Sequence, residues 1–211
     1  MSDNALLDDA ASDRDAPKAR QRMKPGQRRE QILQTLAGML EQPGTERITT
    51  ALLASKLEVS EAALYRHFAS KAQMFEGLID FIEHSVFGLV NQIAEREGDG
   101  AQKAARMVTV LLQFGEKNPG MARVMVGDAL VFEHERLHQR MNQLFERIES
   151  ALRQVLRAAA EANKSATPTA DAQVRAAVLM AFALGQLQRF ARSGFKRSPL
   201  DHVEASLALM C

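Results

Sequence analysis

The stretch that most constrains this chain runs from Thr49 to Lys71 and reads TTALLASKLEVSEAALYRHFASK. The hydroxyl of Thr49 or Thr50 can accept a hydrogen bond from a free N–H in the first turn of a helix, and the hydroxyl of Ser60 can do the same for a second helix. Residues 57–59 leave room only for a tight turn between the two. Two short helices joined by such a turn are typical of the helix-turn-helix, whose second helix enters the major groove of DNA.

Apolar spacing within this stretch predicts how the two helices pack. We expect Leu52, Leu53 and Leu57 to be buried in the core. We expect Val59 and Leu64 to reach back to the first helix. An ordinary helical hairpin within an all-α core is the alternative. The caps, the turn length and the aromatic and basic residues of the second helix all favour the DNA-binding motif.

Three segments of the stretch resemble the DNA-binding signature of the TetR family. They are the threonine pair at 49–50, VSEAA at 59–63 and LYRHFASK at 64–71. One position departs from the family pattern, because Glu58 stands where that family usually has a glycine. A positive φ at this position costs a glutamate about 1 kcal/mol.

The motif and the resemblance together predict a set of DNA-binding residues. Tyr65, His67 and Lys71 are expected to reach phosphates, which set the register of a protein on DNA without reading sequence. The predicted DNA-binding residues are Arg28, Arg47, Thr49, Thr50, Ser60, Glu61, Ala62, Ala63, Tyr65, Arg66, His67 and Lys71.

Composition predicts the fold class. The chain has only 12 glycines and 6 prolines, and long stretches place apolar residues at helical spacing. We therefore expect an all-α, TetR-like protein with an N-terminal three-helix helix-turn-helix domain and a C-terminal helical dimerisation domain. The single cysteine, Cys211, allows no disulfide within the chain and fits a reducing cytoplasm. No apolar run approaches the roughly 20 residues of a membrane span, so we expect a cytoplasmic protein.

The sequence gives no positive support for an enzyme. It contains no glycine-rich loop that could cradle a phosphate, and no pair of carboxylates stands out as general acid and base. His134 and His138 lie four residues apart beside Glu133 and Glu135, but no third metal ligand follows at a telling spacing. We expect no catalytic residue, no metal and no cofactor.

Charge divides the N-terminal region. Residues 1–17 are acidic and alanine-rich, with too little apolar area to fold, whereas residues 18–29 carry six basic residues and no acid. The basic run is either a solvated charge run or a contact to the DNA backbone or minor groove. We predict a disordered tail over 1–24, a DNA-binding domain over 25–71 and a dimerisation and partner-binding domain over 72–211.

Helical periodicity predicts the elements on either side of the motif. The predicted helices cover residues 27–41, 71–95, 101–117, 121–127, 130–160 and 171–194. Leu89 falls on the expected inner face of the 71–95 helix, and Phe81 falls off it. Phe81 is either a packing aromatic or an exposed anchor for a partner.

The helix predicted over 171–194 is apolar on nearly every face. Ala177, Ala181 and Gly185 form a ridge of small residues that would let another helix approach closely. Either this helix is the centre of a monomer core, or it forms a four-helix bundle with Pro199–Met210 and the same segments of a second copy. We favour the dimer, because two recognition helices related by a two-fold axis read a palindrome. The predicted interface residues are Ala177, Val178, Ala181, Leu184, Gly185 and Gln188.

A longer resemblance points to one group within the TetR family, the nucleoid occlusion factors. It rests on RREQILQTLAGMLE at 28–41, RITTA at 47–51, VSEAALYRHF at 59–68, GEKNPG at 115–120, NQLFERIE at 142–149 and RFARSGFK at 189–196. The resemblance implies a homodimer that binds palindromic double-stranded DNA and, when DNA-bound, binds the C-terminal tail of the division protein FtsZ. Septum assembly over the chromosome would then be blocked, with no small-molecule effector.

The resemblance also implies where the FtsZ tail binds, in a groove between the helices predicted over 71–95 and 101–117. The predicted partner-binding residues are Phe81, Leu89, Val110, Gln113, Lys117 and Asn118. The alternative function is that of a ligand-responsive TetR-type transcriptional repressor, with an apolar pocket among the C-terminal helices.

Overall fold

The computed structural model describes residues 26–42, 47–96 and 98–211, and these ranges hold nine α-helices and one 3-10 turn. The helices are α1 (Gln27–Leu40), α2 (Thr50–Lys56), α3 (Glu61–Tyr65), α4 (Lys71–Glu95), α5 (Gly100–Lys117), α6 (Pro119–Met125), α7 (Glu135–Ala162), α8 (Pro168–Arg192) and α9 (Val203–Met210). Within the described ranges there is no strand, so the all-α prediction is confirmed. The predicted disordered tail over 1–24 lies outside the described residues.

Helix α4 forms the centre of the packing. It contacts α1 on one side and α5 and α7 on the other. Most of its predicted inner face is buried, including Met74, Ile79, Ile82 and Val90 at 0 % exposure. Leu89 contradicts the prediction for this face, because 41 % of its surface is exposed. No other helix of the described chain fully covers this side chain.

Helices α7 and α8 pack against each other along their length and form the largest helix pair of the fold. Both are long enough to build the C-terminal core with α5, which contacts each of them. The prediction that a helix begins at Leu130 is wrong. A 3-10 turn ends there, and α7 begins only at Glu135, where the His134 side chain accepts a hydrogen bond from the Arg136 backbone N–H at 3.2 Å.

A close approach between α1 and α6 joins the N-terminal helices to the C-terminal ones. A Cβ atom on Gly120 would lie 2.3 Å from the carbonyl oxygen of Ala37, so only glycine fits there. Arg123 of α6 donates to the Leu40 carbonyl oxygen at 3.3 Å and to Asp128 at 2.6 Å. These contacts attach the helix-turn-helix unit to the C-terminal helices through α6 as well as through α4.

Among the described residues, no helix is both long enough and apolar enough to cross a membrane.

We predict that Gly120→Ala lowers the free energy of unfolding by about 1–3 kcal/mol, because the new methyl group must push the α1 backbone away. Gly38→Ala is the matched control, since Gly38 is also helical and a Cβ there would meet nothing within 4 Å. That control gains up to about 1 kcal/mol from helix propensity. Urea denaturation of both variants measures the difference, and equal stability of the two would contradict the packing described here.

Candidate DNA-binding and partner-binding surfaces

Both predicted helix caps of the helix-turn-helix are present. The Thr49 hydroxyl accepts a hydrogen bond from the Leu52 backbone N–H at 3.2 Å, and the Ser60 hydroxyl accepts one from that of Ala63 at 3.3 Å. Both capping residues have extended backbones, as helix N-caps require. The caps therefore fix where α2 and α3 begin.

The turn between α2 and α3 is tight and strained at one residue. Glu58 has a φ of 53°, in the left-handed region that favours glycine. Its N–H donates to the Ser55 carbonyl, and the Val59 N–H donates to the Ala54 carbonyl at 3.0 Å, which closes the end of α2. The turn thus has the conformation for which glycine is best suited, although a glutamate occupies it.

Burial within this unit agrees with the prediction at all but one position. Leu53 and Leu64 are buried at 1 % and 0 % exposure, and Leu57 at 9 %. Leu52 was predicted to be buried and is 49 % exposed. It lines an open cleft between α1 and α2 with Thr35 and Lys56 instead of entering the core.

The residues around α3 present a polar outer surface. Those predicted to bind DNA there are exposed, except for half-buried Ala63. Thr50 donates from its hydroxyl to the Glu61 carboxylate, which links α2 to the first turn of α3. Tyr65 is 45 % exposed, although an apolar ring tends to be buried. The surface is available to a groove of DNA, and Thr50 holds the only carboxylate on α3 in place.

The basic residues on the flanks are placed differently from one another. Arg47 is exposed at the start of the second described range. Arg28 donates to Gln31 at 2.7 Å along α1. Lys71, the first residue of α4, forms an ion pair with Glu133 and lies over the ring of Phe75 at 5.6 Å. Sequence reasoning missed Glu133 as a partner of Lys71, because 62 residues separate them.

Further ion pairs follow the pair of Lys71 and Glu133 along the line where α4 contacts α7, which we call the α4–α7 seam. Arg136 pairs with Glu76 at 2.8 Å, and Arg140 pairs with Glu83 at 2.9 Å and with Asp80. The hydrogen bond that Arg140 donates to Glu83 raises the pKa of Arg140 most, and the one to Asp80 raises it further. Burial lowers it, but the net shift is upward. Because residue numbers rise together in both helices, α4 and α7 run parallel along this seam.

The groove between α4 and α5 carries exposed apolar side chains. Phe81 is 49 % exposed, and its ring centroid lies 6.1 Å from that of Phe114. On α5, Val110 is half-buried one turn before Phe114, and Lys117 is exposed at the end of the same helix. Asn118 follows, with its side-chain amide bonded to the Phe114 carbonyl at 2.8 Å. An apolar surface with a cation at one end suits an extended peptide.

One predicted partner-binding residue has different neighbours. Gln113 lines a cleft with Thr109 and residues of the C-terminal segment, including Leu200 and Val203. Beside Phe81 and Asn118, a cavity of about 310 Å³ opens between α1, α4 and the start of α6. Its lining residues include Leu33, Ala37, Leu78, Phe81, Asn118 and Met121.

The outer face of α8 is apolar and uncovered in the single chain. Val174 and Val178 are 63 % and 46 % exposed. All six predicted dimer-interface residues lie on this side of the helix and are exposed or half-buried. The opposite face, with Ala176, Ala183 and Leu187 at 0 % exposure, packs inside the chain. An exposed apolar face of this length is typical of an interface with another protein chain.

Other chemically distinctive groups have structural partners. His134 caps α7, and His138 Nε2 lies 2.9 Å from the Leu130 carbonyl oxygen. Burial raises the pKa of the Cys211 thiol. Among the described residues, no three His, Cys, Asp or Glu side chains are grouped so that they could hold a metal ion.

Comparison with known proteins agrees with the geometry. Residues 32–78 match the model of the TetR family of bacterial regulatory proteins, and residues 100–211 match the SlmA-like C-terminal domain of tetracycline repressor type. The solved structure of PfmR, a TetR family transcriptional regulator from Thermus thermophilus, has a TM-score of 0.68 at 21 % identity and covers 85 % of this chain and 96 % of its own. That likeness shows a shared fold.

The fold and the family model define a DNA-binding regulator of the TetR family, and sequence relatives show which group within that family the chain belongs to. The nucleoid occlusion factor SlmA of Idiomarina loihiensis is 49 % identical over 183 residues, which cover 87 % of this chain and 93 % of that protein. The SlmA of Vibrio vulnificus is 50 % identical over 188 residues, which cover 89 % and 95 %. The chain therefore belongs to the SlmA family of nucleoid occlusion factors.

We predict that Glu58→Gly raises the free energy of unfolding by about 1 kcal/mol, because glycine adopts the left-handed conformation without the Cβ penalty. Gln92→Gly is the control, since Gln92 is exposed within the regular helix α4 and glycine there costs up to about 1 kcal/mol. Urea denaturation at one fixed protein concentration measures both. A loss of stability in Glu58→Gly would show that the turn is not strained.

Proposed function

We propose that a homodimer of this chain binds palindromic double-stranded DNA and, in that state, binds the C-terminal tail of FtsZ and blocks septum assembly over the chromosome. The observation that carries this proposal is the relationship to nucleoid occlusion factors, which spans more than 90 % of their length at about half identity. It includes the C-terminal helices, where TetR-type proteins with other functions would be expected to differ most.

The exposed surface of α3 supports the DNA-binding half of the proposal. We take residues 25–71 as the DNA-binding domain, with α3 in the major groove and the predicted residues from Arg28 to Lys71 on or near the duplex. Thr50 holds the carboxylate of Glu61 at the start of α3, where an acceptor can read the amino group of a cytosine. Tyr65, His67 and Lys71 contact phosphates.

The uncovered face of α8 supports the dimer. Its small residues, Ala177, Ala181 and Gly185, allow a second α8 to approach closely, and Val178 and Leu184 fill the space beside them. Leu209 of α9 is 90 % exposed in the single chain and belongs to the C-terminal segment that we predict to pack in the dimer. A two-fold axis through these helices would present two copies of α3 to a palindrome.

The groove between α4 and α5 supports the FtsZ-binding half. Phe81, Leu89 and Val110 offer apolar contacts, and Lys117 with Asn118 offers a cation and an amide for a peptide that carries acidic residues. Gln113, the remaining predicted residue, lines a separate cleft with Thr109 and Leu200. The dimer would act without a small-molecule effector, in the cytoplasm and on the nucleoid.

Helix α4 supplies a physical link between the two activities. Phe81 lies ten residues after Lys71, about 15 Å along a helix. DNA that fixes the start of α4 selects among orientations of this helix in the free dimer, and the orientation of the groove follows. This selection explains how DNA would activate binding of FtsZ.

The test of this function is pelleting of FtsZ filaments with GTP, in the presence of the chain, with and without DNA that carries a palindrome selected by the protein itself. We expect pelletable filaments to decrease only when the specific DNA is present. DNA of scrambled sequence and equal length is the control. Unchanged filaments despite confirmed operator binding would favour a ligand-responsive repressor instead.

We predict that Lys117→Glu weakens binding of an FtsZ tail peptide to the DNA-bound dimer at least tenfold, because a cation in the groove becomes an anion facing acidic residues. Operator affinity should stay at the wild-type value. Lys164→Glu is the matched control, since Lys164 is exposed in the turn between α7 and α8. Fluorescence anisotropy with a labelled peptide measures the difference. Tail affinity that survives Lys117→Glu would place the peptide elsewhere.

A further inference from the structure

The ion pair between Lys71 and Glu133 lies where the helix-turn-helix meets the C-terminal helices. Lys71 begins α4, directly after the DNA-binding motif, and Glu133 lies just before α7. The side chains are only 21 % and 10 % exposed, so water screens the pair weakly. Glu133 therefore neutralises the cation that is proposed to contact a phosphate.

This pair differs from the other ion pairs along the same seam. In those pairs the acid belongs to α4 and the base to α7, as in Glu76 with Arg136 and Glu83 with Arg140. At the DNA-proximal end the order is reversed, with the base on α4. Only there would a polyanion next to the start of α4 compete with the acid for its partner.

The segment that carries Glu133 is irregular. Residues 131–134 join the 3-10 turn to α7, and Val131 and Phe132 are 63 % and 65 % exposed. Outside helices, such a segment can change conformation at lower cost than α4 or α7 can. A carboxylate that loses its ammonium partner while nearly buried must gain water, because a buried, unpaired charge is costly. Movement of residues 131–134 would supply that water.

We propose that Glu133 acts as a latch that DNA opens: the DNA phosphate takes Lys71 from Glu133, and the freed carboxylate turns to solvent with residues 131–134. This inference rests on the proposed function, since it needs Lys71 to contact a phosphate. Glu133 is then a positioning residue that lowers DNA affinity and makes the connection between α6 and α7 respond to DNA. The freed carboxylate attracts cations from solution, which offsets part of the ion release caused by the phosphate contact of Lys71.

The first test is operator binding by Glu133→Gln as a function of salt concentration. Glutamine has the shape of glutamate without the charge, so Lys71 becomes free to pair with a phosphate. We expect tighter binding, and a slope of log K against log salt that is steeper by up to about 0.9 per protomer. Glu135→Gln is the matched control, because it removes the same charge from an exposed position two residues away. The control should leave the slope unchanged.

Variants of Lys71 separate the latch from the proposed function. Lys71→Gln should weaken operator binding, and it should abolish the gain caused by Glu133→Gln in the double variant. Unchanged affinity in Lys71→Gln would mean that Lys71 contacts no phosphate. If Lys71→Gln weakens binding while Glu133→Gln leaves both affinity and slope unchanged, the latch is wrong and the proposed function stands. If the wild type binds no DNA, both fail. Thermal unfolding verifies that each variant is folded, and Glu133→Asp replaces Glu133→Gln if the latter is not.

A fluorescent reporter tests the movement itself. The chain contains no tryptophan, so Phe132→Trp gives a single emission signal from the exposed segment. We expect operator DNA to shift this emission in the otherwise wild-type chain and to leave it unchanged when Glu133→Gln is added. Ala166→Trp, in the exposed turn between α7 and α8, is the control for effects of DNA on any exposed indole. Equal responses with and without Glu133 would overturn the latch.

Discussion

Burial of one continuous helix, α4, is the constraint on which both halves of this protein depend. Its buried side chains face α1 on the side of the helix-turn-helix and α5 and α7 on the C-terminal side. Interiors of this kind are packed to crystal-like density, so rotation of α4 against one set of neighbours must disturb the other. Gly120 adds a second attachment, because it lets α6 contact the α1 backbone directly. The DNA-binding unit is therefore held by packing rather than joined by a flexible linker.

Among the described residues, two of the apolar surfaces left uncovered by this core are the outer face of α8 and the surface around Phe81 where α4 meets α5. Exposed apolar area of this extent is unfavourable in water and typical of sites that bind other chains. The small residues on α8 suit a second helix, whereas the groove, with its terminal Lys117, suits an extended peptide. A dimer that binds a division protein would use one surface for each.

Polar contacts along the α4–α7 seam determine orientation more than they add stability. Partly exposed ion pairs such as Arg136 with Glu76 contribute little net energy. Their acids and bases nevertheless match at only one register of the two helices, so they fix how far α4 slides along α7. The pair at the DNA-proximal end, Lys71 with Glu133, is the one that an approaching polyanion could replace.

Local interactions determined what the sequence could predict. The caps at Thr49 and Ser60 and the bounds of α4 follow from side chains within a few residues, and the all-α class follows from apolar periodicity. The exposed α3 surface followed from the motif, whereas the proposed partner surface between α4 and α5 rests on resemblance alone. Only the tertiary structure decided that Leu52 and Leu89 are exposed, because periodicity shows which residues are apolar and neighbouring helices decide which of them are covered. It alone paired Lys71 with Glu133, because no local pattern joins two residues that folding brings together from distant parts of the chain.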